Sequence, residues 1–244
     1  MADIDSRQFM PLKPSVVLGV AAHPDDLDFG ASGSMASFAK AGAKVYYLIL
    51  TDGSKGSSDR NITTEQLIST RRQEQEAALK EVGGKGVTFL DYPDAALEVT
   101  QDLKRDIVRE IRRLKPDVVV TMDPSILYSE ARGFINHPDH RAAGQATLDA
   151  VFPLARDYLT FPELISEGLE PHKVKTLLLT NFDRQNFYVD ISKTMEKKIA
   201  ALKAHASQIS DIESVRVWIG EWAAKAGAKA GYKYAEGFMR LDLN

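Results

Sequence analysis

Short apolar runs punctuate the chain at 14–22 (PSVVLGVAA), 44–51 (KVYYLILT), 85–90 (KGVTFL), 116–122 (PDVVVTM), 174–180 (VKTLLLT) and 186–191 (NFYVDI). None shows the two-residue alternation of a sheet with one wet face, so they predict strands buried on both sides, as in a parallel sheet covered by helices. Helical spacing fills the gaps. Thr64 to Val82 predicts one helix, closed by Gly83 and Gly84 where a left-handed cap fits. Leu103, Ile107, Ile111 and Leu114 form an apolar stripe that leaves Lys104, Arg105, Arg109, Arg112 and Arg113 to the other faces, as a solvated surface. Met195, Ile199 and Leu202 mark a third helix. This order predicts an α/β fold, a Rossmann-like, doubly wound and mostly parallel sheet with helices on both faces, in a single domain over 1–244. The ending YAEGFMRLDL reads as one more strand, and Trp218 and Trp222, at helical spacing, as core or subunit packing, leaving a homo-oligomer open. The irregular stretch 124–138 follows the fourth strand and is expected to form a rim or lid.

Composition narrows the function. With 31 basic against 34 acidic side chains, the chain as a whole gains little from a phosphate backbone, so nucleic acid is not an expected partner. The absence of cysteine removes disulfides, thiolate nucleophiles and sulfur-ligated metals together; a metal has to be held by nitrogen and oxygen. The start, MADIDSRQFMPLKPS, lacks the apolar segment of a signal peptide, and no run approaches the roughly 20 apolar residues of a membrane span, so a cytoplasmic location is expected.

The first strand ends abruptly in LGVAAHPDDLDFG (18–30). In an open parallel sheet, ligands bind beyond the carboxyl ends of the strands, and this loop borders that crevice. A dinucleotide fits poorly: the loop has no GxGxxG turn, and two carboxylates repel phosphates. A divalent cation resolves the electrostatics, because adjacent aspartates otherwise repel each other. His23 and Asp26, three apart across a turn stiffened by Pro24, can point at one ion. Taken alone, HPDD is equally well a helix N-cap and a loop surface. The stretch NHPDHR (136–141) alters that balance, because His137 and His140 also follow a predicted strand and can reach the same edge. Two histidines, one aspartate and an open position make a hydrolytic zinc site.

These residues resemble the PIG-L/LmbE-like family of zinc-dependent N-acetylglucosaminyl deacetylases. The likeness runs through AHPDDLDFG (22–30), LTDGSKGS (50–57), RRQEQEAALKEVGG (71–84), PDVVVTMDP (116–124), NHPDHRAAG (136–144), KAHASQI (203–209) and YAEGF (234–238). It implies that His23, Asp26 and His140 bind one zinc ion per chain, that Asp25 is the general base and that His137 stabilises the oxyanion. It further implies that Asp139 orients His137 and that Arg71, in an R-x-x-E pattern with Glu74, contacts substrate, with Arg72 as the neighbouring alternative. His205 matches a C-terminal pattern without an assigned role. The chain departs from the pattern at Ser54, Asp28 and Ser32-Gly33, positions the family commonly fills with an acid, Glu and Gly-Gly.

The implied reaction removes an N-acetyl group from an N-acetylated amino sugar or sugar conjugate, giving acetate and a free amine. Asp25 takes a proton from water and returns one to the leaving nitrogen, while a protonated His137 donates to the oxyanion. Gly30 and Gly33 are expected to let the backbone approach the ion closely. Plainer roles stand beside these: Asp139 as a helix cap, Arg71 paired with Glu74 on an exposed face, His172 on the surface and His205 on a helix face. Two other functions remain open, a metal-dependent phosphoesterase with a two-metal site and a catalytically silent sugar-binding module.

Overall fold

The computed structural model describes residues 12–130, 133–181 and 183–243. The reading of the amino terminus as lacking a leader falls mostly on residues 1–11, and the tip of the expected rim on residues 131 and 132, all outside the described residues. The strands are β1 (Val16–Ala21), β2 (Lys44–Thr51), β3 (Gly86–Tyr92), β4 (Val118–Met122), β5 (Tyr128–Ser129), β6 (Phe134–Ile135), β7 (Thr176–Thr180), β8 (Phe187–Asp190) and β9 (Ala235–Asp242). Seven of them form one sheet in the order β3-β2-β1-β4-β7-β9-β8; β5 and β6 pair separately as a short antiparallel hairpin. The five strands from β3 to β7 are parallel. The closing strand β9 is antiparallel to both neighbours and lies between β7 and β8, so the last two predicted runs are not adjacent.

Helices α1 (Asp26–Gly30), α2 (Ser32–Lys40), α3 (Thr64–Val82), α4 (Gln101–Leu114), α5 (Pro138–Asp149), α6 (Pro162–Ser166), α7 (Met195–Ala204) and α8 (Ile212–Ala230) complete the fold. Alternation along β1 shows why both faces are covered. Leu18 and Val20 pack with Leu103, Ile107 and Ile111 of α4 and with the alanines of α5. Val17 and Ala21 point the other way, toward Leu27, Met35, Ala78 and Leu79 of α1, α2 and α3. The α4 stripe is fully buried at Leu103, Ile107 and Ile111, and truncating one of these leucines or isoleucines to alanine costs about 2–5 kcal/mol.

The basic run on α4 is not wholly solvated. Arg112 is 1% exposed, and its guanidinium donates to the carbonyls of Leu154, Ala155, Asp157 and Thr160. It thereby satisfies the backbone of an irregular segment that a helix ladder does not reach. Trp218 packs parallel to Phe29, with ring centroids 5.8 Å apart, and meets Trp222 edge-on at 4.6 Å. His172 is half-buried, with Nε2 2.8 Å from the carbonyl of Pro116, rather than a free surface residue. Among the described residues no helix is long and apolar enough to cross a membrane.

Candidate active site

The sheet reverses its winding between β1 and β4, and the loops after these strands diverge there to leave a crevice. The two HPD turns meet in it. The β1 turn enters α1 through Asp25, whose φ of 94° lies in the left-handed region. The second turn enters α5 with His137 as N-cap and Pro138 at the first helical position, where its missing N–H is harmless. Imidazoles from both turns face the same carboxylate: His140 Nε2 is 3.0 Å from one oxygen of Asp26, and His23 Nδ1 is 3.4 Å from the other. The ring centroids of His23, His137 and His140 lie 4.8–5.3 Å apart.

Donor chemistry suits a divalent ion. His23, Asp26 and His140 offer two nitrogens and a carboxylate on neighbouring faces, the donor set of an open zinc site. Two groupings have their donor atoms within 4.8 Å of one another: His23 with Asp94 and Asp139, and the three imidazoles of His23, His137 and His140. His137 is tied differently from the other two, because its Nδ1 accepts the backbone N–H of Asp139 at 3.2 Å. A ring that accepts at Nδ1 carries its proton on Nε2.

Behind His23, Nε2 faces Asp139 Oδ2 at 3.1 Å and Asp94 Oδ1 at 3.2 Å. Asp139 is fully buried, and its carboxylate also accepts from the backbone N–H groups of Ala95 and Leu97. This corrects the expected role of Asp139: the side chain orients His23, and only its backbone touches His137. The plainer alternative fails as well, since His137 is the cap of α5. Asp94 completes the arrangement without having been singled out from sequence. It sits after β3, where its N–H donates to Asp52 Oδ1 and its Oδ2 accepts from Lys55 N.

Arg71 is 5% exposed. Its guanidinium donates to the carbonyls of Pro24, Gly53 and Lys55, and Nη2 lies 3.5 Å from Asp25 Oδ2. It therefore braces the β1 and β2 loops from behind Asp25, and this placement replaces the exposed pairing with Glu74. Glu74 instead accepts from the N–H and hydroxyl of Ser207. Arg72 pairs with Asp91. Gly30 and Gly33 answer to close packing rather than to an ion: a β-carbon would meet Thr180 at 3.0 Å and Ile191 at 2.9 Å, respectively.

Charge is balanced by protons here. Burial disfavours a charged His23, yet its hydrogen bonds to Asp26 and Asp94 carry it up to about 11. His140 is raised as well: burial opposes its charge, and Asp26 outweighs burial. Asp26 is held well below the usual carboxylate range by His140 and His23, against the effect of its burial. His137 moves the other way, pushed down by burial and by the two neighbouring imidazoles. Burial and the adjacent Asp26 lift Asp25 to about 7. The paired imidazoliums thus stand where a cation would neutralise the same carboxylates.

Comparison with known proteins gives four findings. A family profile described as PIG-L, GlcNAc-PI de-N-acetylase, matches residues 18–151. The diacetylchitobiose deacetylase of Thermococcus kodakarensis is 33% identical over 223 residues, covering 91% of this chain and 81% of that protein. Among solved structures, N,N'-diacetylchitobiose deacetylase from Pyrococcus horikoshii superimposes with a TM-score of 0.86 at 29% identity, covering 94% of this chain and 84% of that one. The 4-carboxy-2-hydroxymuconate hydratase GalB from Pseudomonas putida KT2440 superimposes at 0.78 and 21% identity, covering 94% of this chain and 97% of that one, and so shares the fold.

Proposed function

We propose, because the chain belongs to the PIG-L family, that it is a zinc-dependent N-deacetylase of N-acetylated amino sugars or their conjugates, releasing acetate and a free amine. The observation that carries this is the convergence of His23 and His140 on opposite oxygens of Asp26, with a second carboxylate, Asp25, beside them but paired with Arg71. His23, Asp26 and His140 would hold the ion. When bound, zinc supplies Lewis acidity for the amide carbonyl and makes water ionisable near pH 7.

The chain's own groups account for the rest. Asp25, lifted toward neutrality by burial and Asp26, suits a group that accepts a proton from water and passes it to the leaving nitrogen. His137, neutral and protonated at Nε2, is a hydrogen-bond donor for the oxyanion; its pull on the Asp139 N–H fixes which nitrogen carries the proton. This replaces the expectation of a charged His137. Asp139 and Asp94 hold His23 in one ring orientation, the carboxylate–histidine arrangement that supports metal ligands.

The hydratase likeness makes the reaction, not the fold, the point to test. The test is acetate release across a panel of N-acetylated amino sugars, with and without chelator, in the native protein and in Asp25→Asn and His140→Ala. Release that chelator stops and zinc restores, retained zinc in Asp25→Asn without turnover, and lost zinc in His140→Ala are the expected results. A chelator-insensitive activity, or full turnover by Asp25→Asn, overturns the assignment.

A further inference from the structure

The β1 turn carries a second histidine–carboxylate cluster on its other side, away from the proposed ligands. Asp28, Gln75 and His205 are each completely buried. Gln75 Oε1 accepts the backbone N–H of Asp25 at 3.0 Å, and Gln75 Nε2 donates to Asp28 Oδ2 at 2.8 Å. The same Asp28 oxygen lies 2.9 Å from His205 Nε2. Four residues from three distant parts of the chain thus form one line ending at the peptide of Asp25.

That peptide needs holding. With φ 94° and ψ −30°, Asp25 occupies a region that residues bearing a β-carbon enter only when surrounding structure imposes it, and no side chain caps α1 at this point. An amide such as Gln75 can serve in only one of its two orientations. Turned over, its N–H groups would face the Asp25 N–H and its oxygen would face the Asp28 carboxylate. Asp28 therefore selects the orientation in which Gln75 accepts from Asp25, and His205 fixes the oxygen that does the selecting.

Docking of α7 does not explain His205. Lys198, one helical stretch earlier, already ties α7 to this turn by donating to the carbonyls of Asp28 and Phe29 and to Glu236. Glu236 in turn accepts from the N–H groups of Gly33 and Ser34 at the start of α2. The helix is held without the imidazole.

Resting on the reading of Asp25 as the base, we propose that His205 and Asp28 are positioning residues that set Asp25 through the amide of Gln75. Removing the amide acceptor lets the turn relax and moves the carboxylate off its line to the substrate, while the proposed ligands remain in place.

The experiment measures, in zinc-loaded protein, kcat and KM for acetate release from diacetylchitobiose, bound zinc, and the exchange rate of the Asp25 amide by nitrogen-15 NMR. In Gln75→Met, kcat should fall by about 100-fold with KM within about twofold and zinc unchanged, a misplacement effect. Its Asp25 amide should exchange about tenfold faster, having lost its acceptor. His205→Leu should lose about tenfold in kcat, and His205→Gln, which restores an N–H donor, should recover most of it. Wild-type kcat per zinc-loaded molecule in both Gln75→Met and His205→Leu, with only thermal stability lowered, overturns the proposal; so does a His205→Gln no better than His205→Leu. If His205→Leu does not fold, Gln75→Met decides alone. Should the native protein release no acetate from any N-acetylated sugar, the deacetylase reading falls, while the Asp25 exchange rate still judges the positioning line: unchanged exchange in Gln75→Met sinks it, and faster exchange supports it.

Discussion

Two histidine–carboxylate clusters share one short turn, and they solve the problem of buried charge differently. Toward α5, His23 has carboxylates at both ring nitrogens: Asp26 at Nδ1, and Asp94 with Asp139 at Nε2. The His140 side chain there is 30% exposed. Toward α7, Asp28, His205, Lys198 and Glu236 are sealed from solvent and closed on one another. The first cluster gathers three carboxylates, Asp26, Asp94 and Asp139, around one imidazole and opens to solvent at His140, the setting in which a diffusible cation is favoured. The second has no such opening and is tied to the backbone of Asp28, Phe29, Gly33 and Ser34. Equal residue types therefore mark an exchangeable site on one side and fixed scaffold on the other, and accessibility tells them apart.

Breaking the open cluster should produce the largest effects. Asp25→Asn should lower kcat by about 10²–10⁴-fold at unchanged zinc content, as expected for loss of a general base, checked by acetate release alongside metal analysis. Breaking the sealed cluster should appear in stability. Glu236→Gln removes one member of the Lys198 pair, at 2.7 Å and almost fully buried. Denaturant unfolding should show a loss of about 3–5 kcal/mol, with zinc affinity unaltered. A smaller change tests the boundary between the clusters: Asp139→Asn weakens the hold on His23 and should reduce zinc affinity by about 10–100-fold in a chelator competition, leaving unfolding of the metal-free protein less affected. If Glu236→Gln loses zinc or Asp139→Asn does not, the division between exchangeable site and scaffold is wrong.

Legibility from sequence followed the range of the forces involved. Strand β2 occupies the run predicted for it, because a continuous apolar stretch registers a strand buried on both faces. Helices α1 and α2 went unread, because DLDFGASGSMASFAK has few large apolar residues to display a period. The place of β9 between β7 and β8 is a pairing choice made at long range, which no local pattern encodes. Within the site, both HPD turns were legible because each concentrates unusual chemistry in four residues. Asp94 was not, since YPDAA resembles any turn and gains meaning only against His23. Arg71 and Gln75 did leave a signal. They fall at i+4 and i+8 from Leu67, in line with Leu79, so α3 places two polar side chains on its buried stripe. A polar residue in an apolar register predicts a buried hydrogen-bond network, and here the network ends at the proposed base.

The last effect separates the clusters by their protons. A group whose pKa is raised in the folded state contributes stability below its unfolded pKa, and that contribution is lost as pH rises through the folded one. His23 is raised to about 11 from an ordinary value near 6.5, because its hydrogen bonds to Asp26 and Asp94 outweigh burial. Between about pH 7 and 10 the metal-free folded chain therefore retains a proton that the unfolded chain has released. Its unfolding free energy should fall with pH in that window, by up to about 1.4 kcal/mol per pH unit for each proton retained. Zinc has to displace the protons from His23 and His140, so the loaded protein should lose this part of the slope. His205 is also raised, burial opposing and Asp28 prevailing, but no proposed ligand lies in its cluster, so its share of the slope should persist in both forms. Denaturant unfolding at a series of pH values, with and without zinc, should give a steeper decline for the metal-free chain. Parallel curves would mean that zinc displaces no proton from the open cluster, and the distinction drawn between the two clusters would fail.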